Sequence, residues 1–323
     1  MANTAVLTQT DNAPNYLGAF FVLGANQTPL LNMLGNLNGY RPVIGFNFPV
    51  SVYASLETAA QTVVTEDAAI AGNPTPETYV KAQAYNVIQT MWRGVSVSYA
   101  KLSDKNKLSG IYYTNMEFAK QAELDFQTEM ALKQLAVDTE FSLFKGLYAA
   151  RTDSSSSAAT RGFIGSDGTN GAIQTNAIAG GTAALTTTMV DAMVKAMADS
   201  GAPFSNPVIF CNSWQKQKLS NLYGWSPIAA PGAGLGGTAV ERIETDFGVI
   251  PVVFAPKMLT TAIACIEMDE VKLAGLEVPG KGAIFLEALG KLGAADRYQL
   301  YAQFGLDYGE ESHHGCINAL TIA

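Results

Sequence analysis

Reactive side chains are scarce in this sequence. Two histidines and three cysteines occur among 323 residues, and charged residues make up 15% of the chain, against about 25% in an ordinary soluble domain. His313 and His314 are adjacent in a polar segment, and neighbouring side chains in a loop seldom converge on one metal ion. We therefore predict a solvated turn at these histidines and no catalytic, cofactor-binding or metal-binding residues. The chain is not expected to be an enzyme.

The cysteines do not form the even, closely spaced set that is typical of a disulfide-stabilised fold. Cys211, Cys265 and Cys316 are scattered and odd in number, which favours a reducing compartment. Cys211 ends a short apolar run, and we expect it to be a small buried hydrophobic residue rather than a nucleophile.

Positive charge and long apolar runs are also missing. The net charge is -8, with only 20 lysines and arginines, which argues against wrapping nucleic acid through its phosphates. The longest apolar stretch, around Tyr16 to Ala25, is too short for a membrane span. Residues 1–12 carry no basic residue and no signal-peptide core. These observations predict a protein that is made in the cytoplasm and has no membrane partner.

Apolar residues, in contrast, reach 48% of the chain. A monomer so poor in charge would tend to associate with its own copies. We interpret this composition as a surface that is largely covered by contacts between subunits. The alternative is a single-chain protein with a large core.

Two glycine motifs have the spacing of nucleotide-binding loops, but their contexts argue against that function. Gly232, Gly234 and Gly237 match GxGxxG without the strand before and the helix after that the motif needs. The stretch 275–282 has P-loop glycines, but Gly282 stands where a magnesium-binding Ser or Thr is required. We expect a flexible loop and a surface turn.

The middle of the chain predicts one long amphipathic helix, from Thr114 to Tyr148. With a rise of about 1.5 Å per residue it would be about 50 Å long, more than the ~30 Å width of a small domain. Apolar residues recur at intervals of three, four or seven and would form one stripe. The members of this stripe are Phe126, Met130, Val137, Phe141, Phe144 and Tyr148. A rod covered on one face indicates a spine that lies across other layers.

The segments before this helix predict an arm and a projecting loop. Residues 1–14 are polar and unpatterned, and a short helix follows, with Thr28 as its N-cap and Gly35 at its end. Residues 49–98 are mostly extended, interrupted by a turn rich in glycine and proline. Isolated hairpins are marginally stable in water, so this two-armed loop would need a neighbouring surface.

After the long helix and a connector rich in serine and glycine, the pattern changes to alternating helices and strands. Strands return near the C-terminus, so the parts before and after this unit would belong to one layer. The predicted elements are a helix from Thr187, a strand at Pro207–Cys211, a helix at Trp214–Tyr223, and strands at Phe247–Phe254, Ala262–Met268, Arg297–Phe304 and Cys316–Ile322.

The order of these elements resembles the tailed-phage major capsid proteins of the Hong Kong 97 fold, from about Thr28 to Leu320. No single motif carries the resemblance; the succession of segments does. The segments that match in order are Tyr85-Asn86-Val87-Ile88-Gln89, Val95-Ser96-Val97-Ser98, Glu123-Leu124-Asp125, Asp138-Thr139-Glu140, Gln215-Lys216-Gln217-Lys218, Thr245-Asp246-Phe247-Gly248, Leu289-Gly290-Lys291-Leu292-Gly293 and Glu310-Glu311-Ser312-His313-His314-Gly315.

The resemblance implies an α+β protein with a Hong Kong 97-like capsid fold. Its expected parts are an N-terminal arm and anchor helix (1–49), an extended β-hairpin loop that lies on an adjacent subunit (50–99), a peripheral domain (100–182 and 271–323) with the spine helix (114–148), and an α/β axial domain (183–270). Since only a short arm precedes the body, we expect a separate scaffold or none. No lysine can be matched to a cross-link site of the family.

The same assignments name the residues expected to contact neighbouring subunits. On the loop and its base they are Glu66, Asp67, Asn73, Glu77, Tyr79, Trp92 and Arg93. Near the capsomer centre, where identical loops crowd together and small residues fit, they are Trp225, Gly232, Gly234 and Gly237.

For function, the resemblance implies a bacteriophage major capsid protein. It would self-assemble through pentamers and hexamers into an icosahedral shell that encloses double-stranded DNA without sequence-specific binding. It would be located in the virion capsid and assembled in the cytoplasm of a bacterial host, with scaffolding, portal and decoration proteins as further partners. Two alternatives stay open. A cargo peptide partner would identify an encapsulin-like nanocompartment. Turnover or a bound cofactor would identify an α/β enzyme.

Overall fold

The computed structural model describes most of the chain from residue 27 to residue 322. The described residues are 27–54, 56, 59, 61, 63–72, 78–99, 116–223, 241–291 and 293–322, with side chains described from residue 124 onward in the helix that begins at Met116.

Helices and strands alternate irregularly along these residues. The helices are α1 (Pro29–Met33), α2 (Glu66–Ala71), α3 (Met116–Lys145), α4 (Thr187–Asp199) and α5 (Ser213–Tyr223), with short 3₁₀ helices at Asn36–Asn38 and Glu311–His313. The strands are β1 (Arg41–Val43), β2 (Asn47–Tyr53), β3 (Ala82–Val87), β4 (Gln89–Ser98), β5 (Ala177–Ala179), β6 (Pro207–Cys211), β7 (Arg242–Thr245), β8 (Gly248–Phe254), β9 (Ile263–Glu267), β10 (Lys272–Leu276), β11 (Ile284–Ala288), β12 (Ala295–Asp307) and β13 (Gly315–Asn318).

The first sheet is organised around β12, its longest strand. On one side β12 pairs antiparallel with β4, in a register that runs from Ala295 opposite Ser98 to Phe304 opposite Gln89. On its other side β12 pairs antiparallel with β11 and β10, and β1 adds to β10 in parallel. Strand β4 precedes the unit of alternating helices and strands, and β12 follows it. Their pairing therefore joins the segments on both sides of that unit into one layer, as the sequence predicts.

The second sheet has the strand order β5-β13-β9-β6-β8-β7. Every residue of β6 is buried, and α4 turns Val190, Met193, Val194 and Met197 inward. The predicted strand at Pro207–Cys211 is confirmed in full. The sheet reaches beyond residues 183–270, however, since β5 and β13 pair into it from outside these limits. The division into peripheral and axial domains stays a prediction, and its limits do not follow this sheet.

The C-terminal strand is shorter than expected. It ends at Asn318 rather than continuing to Ile322. Ala319 has a positive φ of 53°, a left-handed conformation that cannot continue an extended strand. The predicted extension was therefore wrong.

The spine helix α3 is confirmed, with a buried face that differs from the predicted stripe. Val137 and Phe144 are buried, but Phe141 is 46% exposed and Tyr148 lies beyond the helix with its side chain also exposed. The buried face is centred instead near Glu140 and Leu143. Phe141 lies about 100° around the helix from Glu140, which carries its side chain away from the covered face.

Glu140 is a buried carboxylate that joins the spine helix to α1. The N–H of Leu30 donates to Glu140 Oε1 (3.1 Å) and the N–H of Leu31 donates to Oε2 (2.8 Å). These are among the first N–H groups of α1, which have no partner within the helix. The sequence predicts that Thr28 caps this helix, but its side chain makes no capping bond. Glu140, distant in sequence, satisfies those donors instead.

The predicted loop is a two-stranded antiparallel sheet of β2 and β3 whose base packs on the first sheet. Phe48 and Ile88 lie close to Gly305, where a Cβ would come within 2.8 Å of the Val87 carbonyl oxygen. Only glycine leaves room for this approach.

The loop also contains helix α2, although an extended segment was expected there. The Ala68 N–H donates to Thr65 Oγ1 (3.3 Å) and two acidic residues occupy the first turn. Both features stabilise a helix N-terminus. This stabilisation outweighs the preference for an extended backbone that the sequence pattern indicates. The predicted turn at residues 73–77 lies outside the described residues.

Burial raises the pKa of Glu140 to about 7, against 4.5 for the free side chain, although the two N–H donors act in the opposite direction. The folded subunit therefore retains a proton that the unfolded chain has lost between these pH values. This stabilisation is complete below pH 4.5 and is lost as the pH rises through about 7.

We expect wild-type subunits, kept unassembled, to lose about 2–3 kcal/mol of unfolding free energy between pH 5 and 8 relative to Glu140→Gln, which has no proton to lose. Urea unfolding at each pH measures this difference. Glu129→Gln, at an exposed position of the same helix, is the control and should retain the wild-type pH dependence. An equal pH dependence in wild type and Glu140→Gln would contradict the assignment.

Candidate assembly surfaces

Exposed apolar side chains are concentrated on the hairpin and on helix α2. Val63, Val64 and Ile70 are 81%, 72% and 79% exposed, unusually high values for aliphatic residues. The other exposed apolar residues of this segment are Val52, Tyr53, Leu56, Tyr79, Val80 and Tyr85. Many exposed apolar side chains within one segment are typical of an interface with another protein molecule.

Several of the predicted contact residues lie on or beside this surface. Glu66 and Asp67 form the first turn of α2 and are exposed. Tyr79 is exposed shortly before β3. The remaining predicted loop residues, Asn73 and Glu77, lie outside the described residues.

Trp92 and Arg93 are neighbours on β4 that point to opposite sides of the sheet. The Arg93 guanidinium forms an ion pair with Asp138 of the spine helix, and its Nε lies 3.1 Å from Asp138 Oδ2. Gln134 donates to the other carboxylate oxygen, Oδ1 (2.9 Å). Arg93 thus holds the spine helix against its own sheet. Its predicted contact with another subunit stays a prediction.

The side of the first sheet that faces the spine helix is covered. Val95 and Val97 are buried on this side, together with Leu300 of β12. The Oγ1 of Thr139 lies 3.9 Å from Met91 Sδ. The alternate residues of β4 therefore point to the opposite side of the sheet.

That opposite side carries an aromatic row that the described residues leave partly exposed. Trp92 is directly opposite Tyr301, which is directly opposite Phe285 of β11. The rings of Phe285 and Tyr301 are 5.2 Å apart, and Trp92 is 68% exposed. We call this side the open face and define it by Trp92, Gly94, Phe285, Arg297, Gln299 and Tyr301.

The second sheet exposes a smaller apolar patch along its edge hairpin, β7–β8. Phe247, Val249 and Phe254 are exposed, and the rings of Phe204 and Phe247 stack 5.7 Å apart. The predicted capsomer-centre residues precede this hairpin in sequence. Trp225, Gly232, Gly234 and Gly237 lie outside the described residues, so their contacts stay predictions.

The histidine turn is different from the solvated turn that was expected. His314 is fully buried, its Nδ1 accepts the N–H of Glu267 (3.1 Å), and its Nε2 lies 2.5 Å from the Tyr308 carbonyl. The ring is therefore neutral, with the proton on Nε2, and burial lowers its pKa. His313 Nδ1 lies 2.7 Å from Glu270 Oε1 near the surface. The prediction was wrong for His314 because this ring satisfies backbone groups of distant segments.

The other candidates for chemistry have structural environments. All three cysteines are buried, and burial raises the pKa of each thiol to about 12, far above the range of a reactive thiolate. Within the described ranges, no three His, Cys, Asp or Glu side chains are grouped as metal ligands would be. No helix in that same part of the chain has the length and apolarity needed to cross a bilayer.

The stretch 275–282 is a surface turn only in part, because it begins inside a buried strand, and the GxGxxG glycines lie outside the described residues. Gly275 is inside β10 and packs on the ring of Tyr40. The turn that contains Gly280 leads into β11, a strand and not the helix of a P-loop. After the GxGxxG motif, the first described element is β7, also a strand.

The solved structures with a similar fold include subunits of phage capsids and of an encapsulin. The chain superimposes on the capsid of cyanophage A-1(L) with a TM-score of 0.63 at 14% identity, over 97% of this chain and 99% of the other. The capsid of a native GTA particle gives 0.58 at 13% identity, over 99% and 100%. The SrpI encapsulin of Synechococcus elongatus PCC 7942 gives 0.53 at 10% identity, over 95% and 93%. At sequence identities of 10–14%, this structural similarity shows a shared fold and nothing more.

The long spine helix, the projecting hairpin and the two sheets thus form a Hong Kong 97-like fold, the fold of these shell subunits. A family model described as "SU10 major capsid protein" matches residues 2–321. The chain belongs to this family and is a phage major capsid protein, a structural component rather than a member of an enzyme family. Comparison with curated protein sequences gives no match.

Sequence reasoning missed the apolar residues of segment 63–72 and the open face. Val63 and Val64 interrupt a polar loop without any periodicity, and that irregularity is the one signal that could have marked them. The open face could not be found in this way, since its residues come from three strands that are distant in sequence.

The exposure of Trp92 can be tested on unassembled subunits. We expect Trp92→Ser to change the free energy of unfolding by less than about 0.5 kcal/mol, as surface substitutions do. Val97→Ala, on the covered side of the same strand, should cost on the order of 2 kcal/mol. Urea unfolding followed by circular dichroism measures both. Equal losses would show that Trp92 is covered within its own subunit.

Proposed function

We propose that this major capsid protein assembles through pentamers and hexamers into an icosahedral shell that encloses double-stranded phage DNA. The shell would be part of the virion and would be assembled in the cytoplasm of a bacterial host. Membership of the capsid family and the capsid-like fold support self-association.

The exposed apolar hairpin is the observation that carries this proposal. A two-stranded sheet is marginally stable alone, and the side chains of this one remain open to water around Val63, Val64 and Ile70. Burying apolar surface contributes about 25 cal/mol per Å². Each subunit therefore has a strong tendency to place its hairpin on a neighbour.

A second contact would form around the axis of each capsomer. The edge hairpin β7–β8 is apolar and exposed at Phe247 and Val249. The neighbouring segment with Gly232, Gly234 and Gly237 would lie where identical loops meet, because small residues permit close approach. This arrangement is proposed from the family resemblance and from the exposed patch on the hairpin that follows the segment in sequence.

The charge of the chain fits enclosure of DNA without specific binding. A net charge of -8 gives the shell little attraction for phosphate, so packaged DNA would not adhere tightly to the wall. Scaffolding, portal and decoration proteins are the further partners that a shell of this class would need or use.

The structural likeness to an encapsulin keeps a nanocompartment as the second candidate function, since the two kinds of shell share one fold. A cargo peptide bound inside the shell would favour it. The family match favours the phage capsid, because the family description names a major capsid protein.

Removing residues 67–78 should leave a folded subunit that no longer forms closed shells, because most of α2 and the loop tip are then absent. A second variant, in which a glycine-serine segment of equal length replaces these residues, is the control for loop length and should fail in the same way. Electron microscopy of the purified proteins, with circular dichroism as the test of folding, gives both results. Closed shells from either variant would contradict the proposed role of the loop.

A further inference from the structure

We propose that Glu140 is a pH-sensitive switch that holds residues 28–39 on the spine helix α3, and that its ionisation releases this segment while the rest of the subunit stays folded. We call residues 28–39 the anchor segment; it contains α1 and the 3₁₀ helix at Asn36–Asn38. The inference concerns a single subunit and does not depend on the proposed shell.

The anchor segment is hydrogen-bonded to the rest of the protein at one place. Among the described residues, two hydrogen bonds join it to other segments, and Glu140 accepts both. The N–H of Leu30 donates to Oε1 (3.1 Å) and the N–H of Leu31 donates to Oε2 (2.8 Å). The other hydrogen bonds of the segment are internal. Further attachments begin only at Tyr40, whose hydroxyl donates to Glu277 (2.9 Å).

The remaining attachment of the anchor segment is apolar and short. Leu30 and Leu31 are buried in the core that also contains Leu135, Leu143 and Phe144 of the spine helix. The helix α1 has only five residues, and an isolated helix of that length is not stable in water. Its structure therefore depends on the contact with the spine helix, and loss of that contact would unfold the whole segment.

Glu140 is buried without a counter-ion. The anchor segment carries no charged residue. Burial and the two N–H donors set the pKa of Glu140, and none of the charged groups on the elements packed around it contributes. These groups are Arg93 on β4, Asp138 and Lys145 on the spine helix, Asp296, Arg297 and Asp307 on β12, and Arg161 after the spine helix. An unpaired buried carboxylate is costly, so the closed site favours the protonated form.

Ionisation of Glu140 and release of the anchor segment are therefore linked. The pKa of this carboxyl is about 7 in the folded subunit, against 4.5 for the free side chain. When the segment separates from the spine helix, water reaches the carboxyl and its pKa returns to the ordinary value. The opening equilibrium constant then rises with pH between these two values, by about 70-fold from pH 5 to pH 8.

The separation is confined to the anchor segment because β1 holds the chain directly after it. This strand pairs in parallel with β10, and the Arg41 guanidinium forms an ion pair with Asp307 of β12. Gly39 and Tyr40 connect the segment to β1, and glycine has the widest range of backbone conformations. Release would leave the first sheet intact and would expose Leu30 and Leu31 to water.

Hydrogen exchange of unassembled wild-type subunits between pH 5 and pH 8 tests the switch. After correction for the intrinsic pH dependence of exchange, the amides of Leu30, Leu31 and Leu34 should exchange about 70-fold faster at pH 8. They should exchange faster than the amides of β6 at every pH. Low concentrations of urea should not change their rates, because a local opening exposes little surface.

Two variants provide the matched comparison. In Glu140→Gln, which has no proton to lose, the exchange of the same amides should not rise with pH beyond the intrinsic correction. In Glu129→Gln, at an exposed position of the same helix, the wild-type rise should remain.

Two results would overturn the switch. One is exchange of the anchor amides with the rate and urea dependence of the β6 amides, which would show that the segment separates only when the whole subunit unfolds. The other is a pH profile that is flat in wild type or unchanged in Glu140→Gln. If Glu140→Gln does not fold, the wild-type profile and its urea dependence decide. Neither result involves particles, so failure of the switch and failure of the proposed shell are separate outcomes.

Discussion

The antiparallel pairing of β4 with β12 is the constraint on which the rest of the structure depends. It runs from Ser98 opposite Ala295 to Gln89 opposite Phe304, and so it fixes the base of the hairpin against the C-terminal part of the chain. One side of β4 then receives the spine helix through Val95, Val97 and the ion pair of Arg93. The other side is left open around Trp92 and Gly94. One strand pairing thereby separates a covered side that belongs to the core from a side that the described residues leave open.

The apolar surfaces that remain exposed have a common physical consequence. The chain carries few charges, and its hairpin and open face keep aromatic and aliphatic groups in water. Within the described residues, neither surface is fully covered. Exposed apolar surface of this kind favours association, because its burial releases water. In the proposed shell, weak contacts repeated around the surface would give a stable container while each single contact could still dissociate and correct errors.

Buried polar groups connect segments that the sequence separates. Glu140 binds the backbone of Leu30 and Leu31, and His314 joins the Glu267 N–H to the Tyr308 carbonyl. Periodicity rules treat such residues as surface positions, because a charged or polar side chain usually lies in water. They are buried here since backbone donors and acceptors from distant segments satisfy them. This explains why the predicted stripe of the spine helix and the predicted histidine turn both differ from the structure.

The sequence by itself determined several of the local elements. Apolar periodicity located the spine helix, the strand at Pro207–Cys211 and the helix predicted at Trp214–Tyr223, because these patterns depend on neighbouring residues. The order of elements then identified the capsid fold. Only the tertiary structure decided that β5 and β13 join the second sheet, that Glu140 caps α1, and that Trp92 and Gly94 share an open face. Those features depend on contacts between residues far apart in the chain, and a local pattern contains no information about which distant surface will cover it.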